Sequence, residues 1–231
     1  MKLRHELKFY IHYHEYVALR HRISSVLEKD PHSIDDDGYE IRSLYYDDVY
    51  DSALMHKNSG VLLRNKYRIR IYNKSDAVIH LERKRKFGDL INKESAPLTR
   101  EQTNRLLVGD SDFLEHLDHP LLKDFHQQIK LHRLVPKSIV DYKREAYKLD
   151  LSEVRVTFDK DLRGNVSSLD LFDPELVTMD AFQKPILVME VKYNEFLPEF
   201  VRRALQITSH QRSAISKYVI CREIAKLYYS H

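Results

Sequence analysis

The stretch LLRNKYRIRIYN, residues 62–73, decides the fold. Arg64, Lys66, Arg68 and Arg70 fall on every second position, so on a β-strand all four share one face, while Tyr67, Ile69 and Ile71 share the other. A half-buried strand ordinarily hides its apolar face and turns a mixed polar face to water. Four like charges in a row repel one another, and nothing on this strand offsets them. Something strongly anionic is expected against that face, and polyphosphate chemistry is the obvious candidate.

The same alternation recurs along the chain. VIHLERKRKF (78–87) sets His80, Glu82, Lys84 and Lys86 on one face. SIVDYKREAY (138–147) brings Tyr142 and Arg144 together. VRVTFDKDL (154–162) sets Arg155, Thr157 and Asp159 opposite Val154, Val156 and Phe158. LVMEVKYN (187–194) sets Glu190 and Lys192 opposite Met189 and Val191. RHELKFYI (4–11) sets Arg4, Glu6 and Lys8 opposite Leu7 and Phe9, and YEIRSLYYD (39–47) is read as adding Glu40 and Arg42. One such strand is what any half-buried strand shows. Seven of them, most with a basic residue on the polar face, point to one shared charged surface.

Composition limits what that surface is. With 231 residues, 42% of them hydrophobic, the chain can bury a substantial core. Its 38 basic and 35 acidic residues nearly cancel to +3, so bulk charge does not announce a nucleic-acid binder, and aromatic residues are not interleaved with the basic ones as single-strand binding needs. There is neither a GxxxxGK[ST] nor a GxGxxG, so phosphate binding must use side chains. The single Cys221 excludes an internal disulfide and cysteine-cluster zinc, and suits a reducing cytoplasm. No apolar run approaches the roughly 18 residues that cross a bilayer. The N-terminal MKLRHELKF runs straight into a strand without a signal peptide's apolar region, so any membrane role requires a partner.

Period changes give the order of elements. Strands are expected over 4–11, 39–47, 62–72, 78–87, 138–148, 153–160 and 186–193. Helices are expected over 13–28, 49–57, much of 99–133 with Thr99 as a cap, 198–207 and from Ser213 onward. No linker divides the chain. The expectation is one α+β domain over 1–231: an antiparallel β-barrel of about eight strands with peripheral helices, its charged faces lining a cationic tunnel.

R-x-E-x-K at Arg4–Lys8, RSLYYD, KYRIRIY, LERK, NKE, YKREAY, VRVTFD, MEVKY and SKY occur in that order and resemble the VTC (vacuolar transporter chaperone) domain family. That family sits within the triphosphate tunnel metalloenzymes. The resemblance implies a polyphosphate polymerase that transfers the terminal phosphate of ATP to a growing chain. It assigns Arg68, Arg70, Lys84, Arg144, Arg155 and Lys217 to catalysis. Lys8, Lys57, Lys93, Tyr142, Lys192 and Ser216 would bind phosphate, and Glu190 would hold a divalent metal, manganese first and magnesium second. A membrane-embedded partner is also implied. Arg64 and Lys66 are not claimed by the motif and are expected at the tunnel mouth.

These residue types suit that chemistry. Phosphoryl transfer needs positioning and charge stabilisation more than covalent work, which arginine forks and lysine point charges supply. Two alternatives share the fold: a triphosphate hydrolase, and a module that holds polyphosphate or inositol phosphates without reacting. Hydrolases of the related CYTH branch open with E-x-E-x-K. Here Arg4 takes the first acidic place, which favours holding a long polyanion.

Overall fold

A computed structural model describes residues 3–182, 185–206 and 210–229, with side chains to residue 226. The elements run β1 Arg4–His12, α1 Tyr13–Ile23, β2 Glu28–Lys29, β3 Tyr39–Asp47, α2 Ser52–Asn58, β4 Leu63–Tyr72, β5 Ser75–Phe87, β6 Leu90–Leu98, α3 Arg100–Leu107 and α4 Pro120–His132. They continue with β7 Val135–Leu149, β8 Val154–Asn165, β9 Thr178–Asp180, β10 Ile186–Tyr193, α5 Glu199–Ala204 and α6 Lys217–Tyr229. Among the described residues no helix is long and apolar enough to cross a membrane.

Eight strands pair antiparallel in the order β7-β3-β4-β5-β6-β1-β10-β8, and β8 pairs back onto β7, closing a ring. The short β2 and β9 attach to β7 and β8. Closure is uneven. Among the described residues β1 meets β6 through only Arg4↔Ile91 and His5↔Leu90, whereas β1 pairs with β10 from His5↔Tyr193 to His12↔Ile186.

Alternation along each strand sorts side chains between the two faces of this ring. Outside, Ile69, Ile71, Leu81 and Leu44 pack against Leu106 of α3 and Leu121, Leu122 and Phe125 of α4. Phe9, Ile11, Val156, Phe158, Met189 and Val191 pack against Leu19 and Ile23 of α1 and Val201 of α5. On the inner side, Tyr45 and Tyr142 join Val140 and Leu162 in a third cluster with Tyr218, Val219 and Cys221 of α6. Burying this apolar surface is the main force that closes the ring around a polar interior.

Local chemistry sets the helix ends. Thr99 caps α3 as expected: its hydroxyl accepts from Gln102 N at 3.1 Å, and the Gln102 side chain accepts from Thr99 N at 2.9 Å. The helix from Tyr13 stops at Ile23 and does not reach residue 28, because the hydroxyls of Ser24 and Ser25 bond back to the carbonyls of His21 and Arg22. An ionic cluster outside the ring ties α1 to β7. The buried Glu145 accepts from Arg20 Nε at 2.7 Å, from the Tyr147 hydroxyl at 2.5 Å and from Tyr16.

Two further expectations are corrected. Glu40 and Arg42 do not face the interior. Ser43 and Tyr45 lie opposite Arg70 and Arg68, and β3 turns Tyr39, Ile41, Ser43 and Tyr45 inward. Arg42 is buried on the outside, where Asp141 accepts from its Nε and Nη2 at 2.9 and 2.8 Å beneath the carbonyls of Leu171 and Asp173. Residues 213–216 are not helical. They are tied to β1 by Ser213 N donating to Lys8 O at 2.9 Å and Lys8 Nζ donating to Ile215 O at 3.1 Å.

Candidate phosphate-chain site

The ring encloses a cavity of about 530 Å³ lined by fifteen lysines and arginines against three carboxylates. That imbalance is local, since the whole chain carries only +3. Such a lining calls for a polyanion.

β4 contributes Arg64, Lys66, Arg68 and Arg70, all four on the cavity wall. Arg68 donates through Nε to Glu82 Oε2 at 2.7 Å and through Nη1 to the Tyr45 hydroxyl at 2.8 Å. Arg70 donates to Ser43 Oγ at 3.1 Å and to the Tyr142 hydroxyl at 3.0 Å. Lys93 Nζ reaches Glu82 Oε1 at 2.5 Å. Burial alone would raise the Glu82 carboxyl, yet Arg70, Arg68 and Lys93 hold it well below the usual carboxylate range. Glu82 thus orients three cations at once.

A second knot lies across β7, β8 and β10. Arg144 is bidentate on Asp159, and Lys217 Nζ is 2.6 Å from Asp159 Oδ2 and 2.8 Å from Glu190 Oε1. Glu190 also meets Lys192 at 2.8 Å, Lys8 at 3.2 Å and Arg144 at 3.8 Å. Burial works against its charge, but these cations keep it ionised well below the usual range. Glu6 bridges toward β5, with Lys84 Nζ at 2.6 Å. Burial, with Lys8 and Lys192 nearby, pushes the Lys84 ammonium down to about 7 despite Glu6 and Glu190. Lys93 is pushed down to about 8, chiefly by burial.

The remaining assigned residues also reach the cavity. Arg155 lies beside Asp30 (2.6 Å) and the Tyr39 hydroxyl (2.9 Å). Lys57 comes from α2 beside Arg64, and Ser216 Oγ accepts from Lys66 Nζ at 2.9 Å. All thirteen residues singled out by the resemblance therefore line one cavity. Three carboxylates that organise them, Glu6, Glu82 and Asp159, were placed on the charged faces but given no role. Their alternation with the basic residues was the available signal.

Over residues 3–227 the sequence matches the model of the VTC domain. The chain belongs to the VTC domain family. Comparison with functionally curated proteins returns no significant match. The VTC domain described here is similar in fold to a "putative adenylate cyclase" from Bacillus halodurans, with TM-score 0.50 and 12% identity over 93% of this chain and 94% of that one. A "putative adenylate cyclase" from Vibrio parahaemolyticus gives TM-score 0.49 and 11% identity, covering 95% and 97%. PH1819 protein from Pyrococcus horikoshii OT3 gives 0.44 and 12%, covering 99% of each chain. At these identities the likeness concerns the fold alone.

For a metal, this VTC domain offers few donors. Among the described residues no three His, Cys, Asp or Glu side chains gather into a cluster. Both Glu190 oxygens already meet cations. A hard divalent ion takes six or more oxygens. The donor set fits an ion that brings most of its oxygens with it on phosphate, Glu190 adding its own.

Proposed function

We propose that this VTC domain binds linear phosphate chains in its cavity and lengthens them with the terminal phosphate of ATP. The observation that carries this reading is the fifteen-to-three lining of cations over carboxylates, within a family that handles polyphosphate. Arg68 and Arg70, oriented from Glu82, and Arg144, oriented from Asp159, are donors already aimed when phosphate arrives. Lys84, Arg155 and Lys217 add charge for the equatorial oxygens of the transferred group. Lys8, Lys57, Lys93, Tyr142, Lys192 and Ser216 hold the flanking phosphates. The acceptor oxygen of a growing chain is already anionic, so no strong general base is required. Glu190 would hold a manganese or magnesium ion, which would supply positive charge to neutralise the triphosphate.

Arg4 lies on the cavity wall where the hydrolase motif carries a carboxylate, which disfavours water activation there. The deciding experiment is incubation with ATP and manganese, products resolved by size. Long phosphate ladders support elongation. Free phosphate alone would make this a hydrolase, and retained polyphosphate without turnover a binding module. We also propose an association with a membrane-embedded partner that takes up the product. Co-purification from membranes tests it, and recovery without any membrane protein would count against it.

A further inference from the structure

The interior cations fall into two groups. Four stand opposite a carboxylate: Arg68↔Glu82, Lys8↔Glu190, Lys192↔Glu6 and Arg144↔Asp159 are direct cross-strand pairs. Arg155 pairs across from Lys192, but Asp30 and Glu190 compensate those two charges. At the β4–β5–β6 corner the arrangement reverses. Arg64↔Lys86, Lys66↔Lys84 and Lys84↔Lys93 are three successive like-charge pairs, an arrangement that destabilises a sheet. Lys84 and Lys93 draw on Glu6 and Glu82. Among the described residues, Arg64, Lys66, Lys86 and the neighbouring Lys57 have no carboxylate within salt-bridge distance. Arg64 donates only to the carbonyls of His56 and Lys57, and Lys66 to Ser216 Oγ. The adjacent Asp89 engages Arg212 at 3.3 Å.

An uncompensated cluster of this kind is a site waiting for charge. At Arg68, Arg70, Lys93, Arg144, Lys217, Lys8 and Lys192 a phosphate must compete with a resident carboxylate, and at Arg64 and Lys86 it does not. From Arg70 to Arg64 the strand runs six residues, ~20 Å. A triphosphate held at Arg68 and Arg70 is much shorter than that and cannot reach Arg64 and Lys86, whereas a longer chain can; Lys66, opposite Lys84 and two residues from Arg68, lies between.

We propose that Arg64 and Lys86, with the neighbouring Lys57, form an extension site that holds the phosphates beyond the first three, and so selects long chains over triphosphates. This rests on the reading of the cavity as a phosphate-chain site, and it gives the chain a direction, with its distal part toward the β5–β6 hairpin. The low proton affinity of Lys66, set by burial and then by Lys8, Lys84, Arg64 and Lys57, agrees with a missing counter-ion.

The test compares tripolyphosphate with long-chain inorganic polyphosphate by titration calorimetry, at one salt concentration, on the wild-type chain and on Arg64→Gln/Lys86→Gln. The expected result is a loss of about tenfold or more for the long chain, as for two charge contacts removed together, and little change for tripolyphosphate. Removing a like-charge pair should leave the ligand-free thermal midpoint unchanged or raised, which confirms that the variant folds. Equal losses for both ligands, or none for either, would overturn the extension site. If the wild-type chain bound neither ligand, the phosphate-chain reading itself would fall, and the extension site with it.

Discussion

Arg144 donates twice to Asp159 across the β7–β8 pair, Nε to Oδ1 at 2.6 Å and Nη2 to Oδ2 at 2.7 Å. Asp159 is wholly buried, and Lys217 Nζ stands 2.6 Å from the same carboxylate. One acid thus fixes a guanidinium from the sheet and an ammonium from the start of α6. Removing its charge would leave both buried cations to share Glu190, at 2.8 Å from Lys217 and 3.8 Å from Arg144.

Asp159→Asn should therefore destabilise the fold by about 3–5 kcal/mol, the usual cost of breaking one side of a buried charge pair. Urea unfolding measures this directly. A midpoint equal to wild type would show that Arg144 and Lys217 find other partners.

Phosphate binding should be coupled to proton uptake near neutral pH. The Lys84 ammonium is held down to about 7 and Lys93 to about 8, both below the free lysine value. An anion beside them favours the charged form, so affinity should fall as pH rises from 7 to 9. Without ligand the sign is opposite. The unfolded chain binds more protons above pH 7, so these two lysines make stability increase with pH up to about 10. Calorimetry in buffers of different ionisation enthalpy reads the uptake. Binding without proton exchange at pH 8 would contradict it.

Glu190→Gln tests the metal proposal, with phosphate affinity measured without manganese as the reference, because Lys8, Lys192, Lys217 and Arg144 also meet this carboxylate. It keeps the shape but removes the one carboxylate charge offered to the ion. The manganese concentration needed for half-maximal phosphate binding should rise by about tenfold or more. An unchanged manganese dependence would take Glu190 out of the metal's coordination.

Gly38 precedes β3 with φ +103°, and a Cβ there would sit 2.0 Å from the Arg144 carbonyl oxygen. Gly38→Ala should cost about 1–3 kcal/mol, and more if β3 is levered away from β7. Thermal unfolding checks the cost. A neutral effect would mean that this turn relaxes without disturbing the Tyr39↔Arg144 pairing.

Much of the architecture could be read from local patterns. Arg64 to Arg70 share a face by parity alone, and Thr99 announces its helix by its own side chain. Arg42 shows where that reading fails. An arginine in a strand was taken for the charged interior, but it is held outside by Asp141 and a chain segment 129 to 131 residues away, which no local pattern contains. Ser213–Ser216 fail similarly: their non-helical course is tied to Lys8, far off in β1.

By itself, the sequence determined which side chains alternate together, and hence that a cationic face exists and recurs from strand to strand. The tertiary structure alone decided how those faces are neutralised. Glu82 gathers Arg68, Arg70 and Lys93, Asp159 and Glu190 gather Arg144 and Lys217, and among the described residues Lys57, Arg64, Lys66 and Lys86 have no carboxylate within salt-bridge distance. The reason is range. Parity is a property of one strand and needs only its neighbours in sequence. Charge pairing depends on the register between distant strands and on burial within the closed ring, and both exist only once the chain has folded.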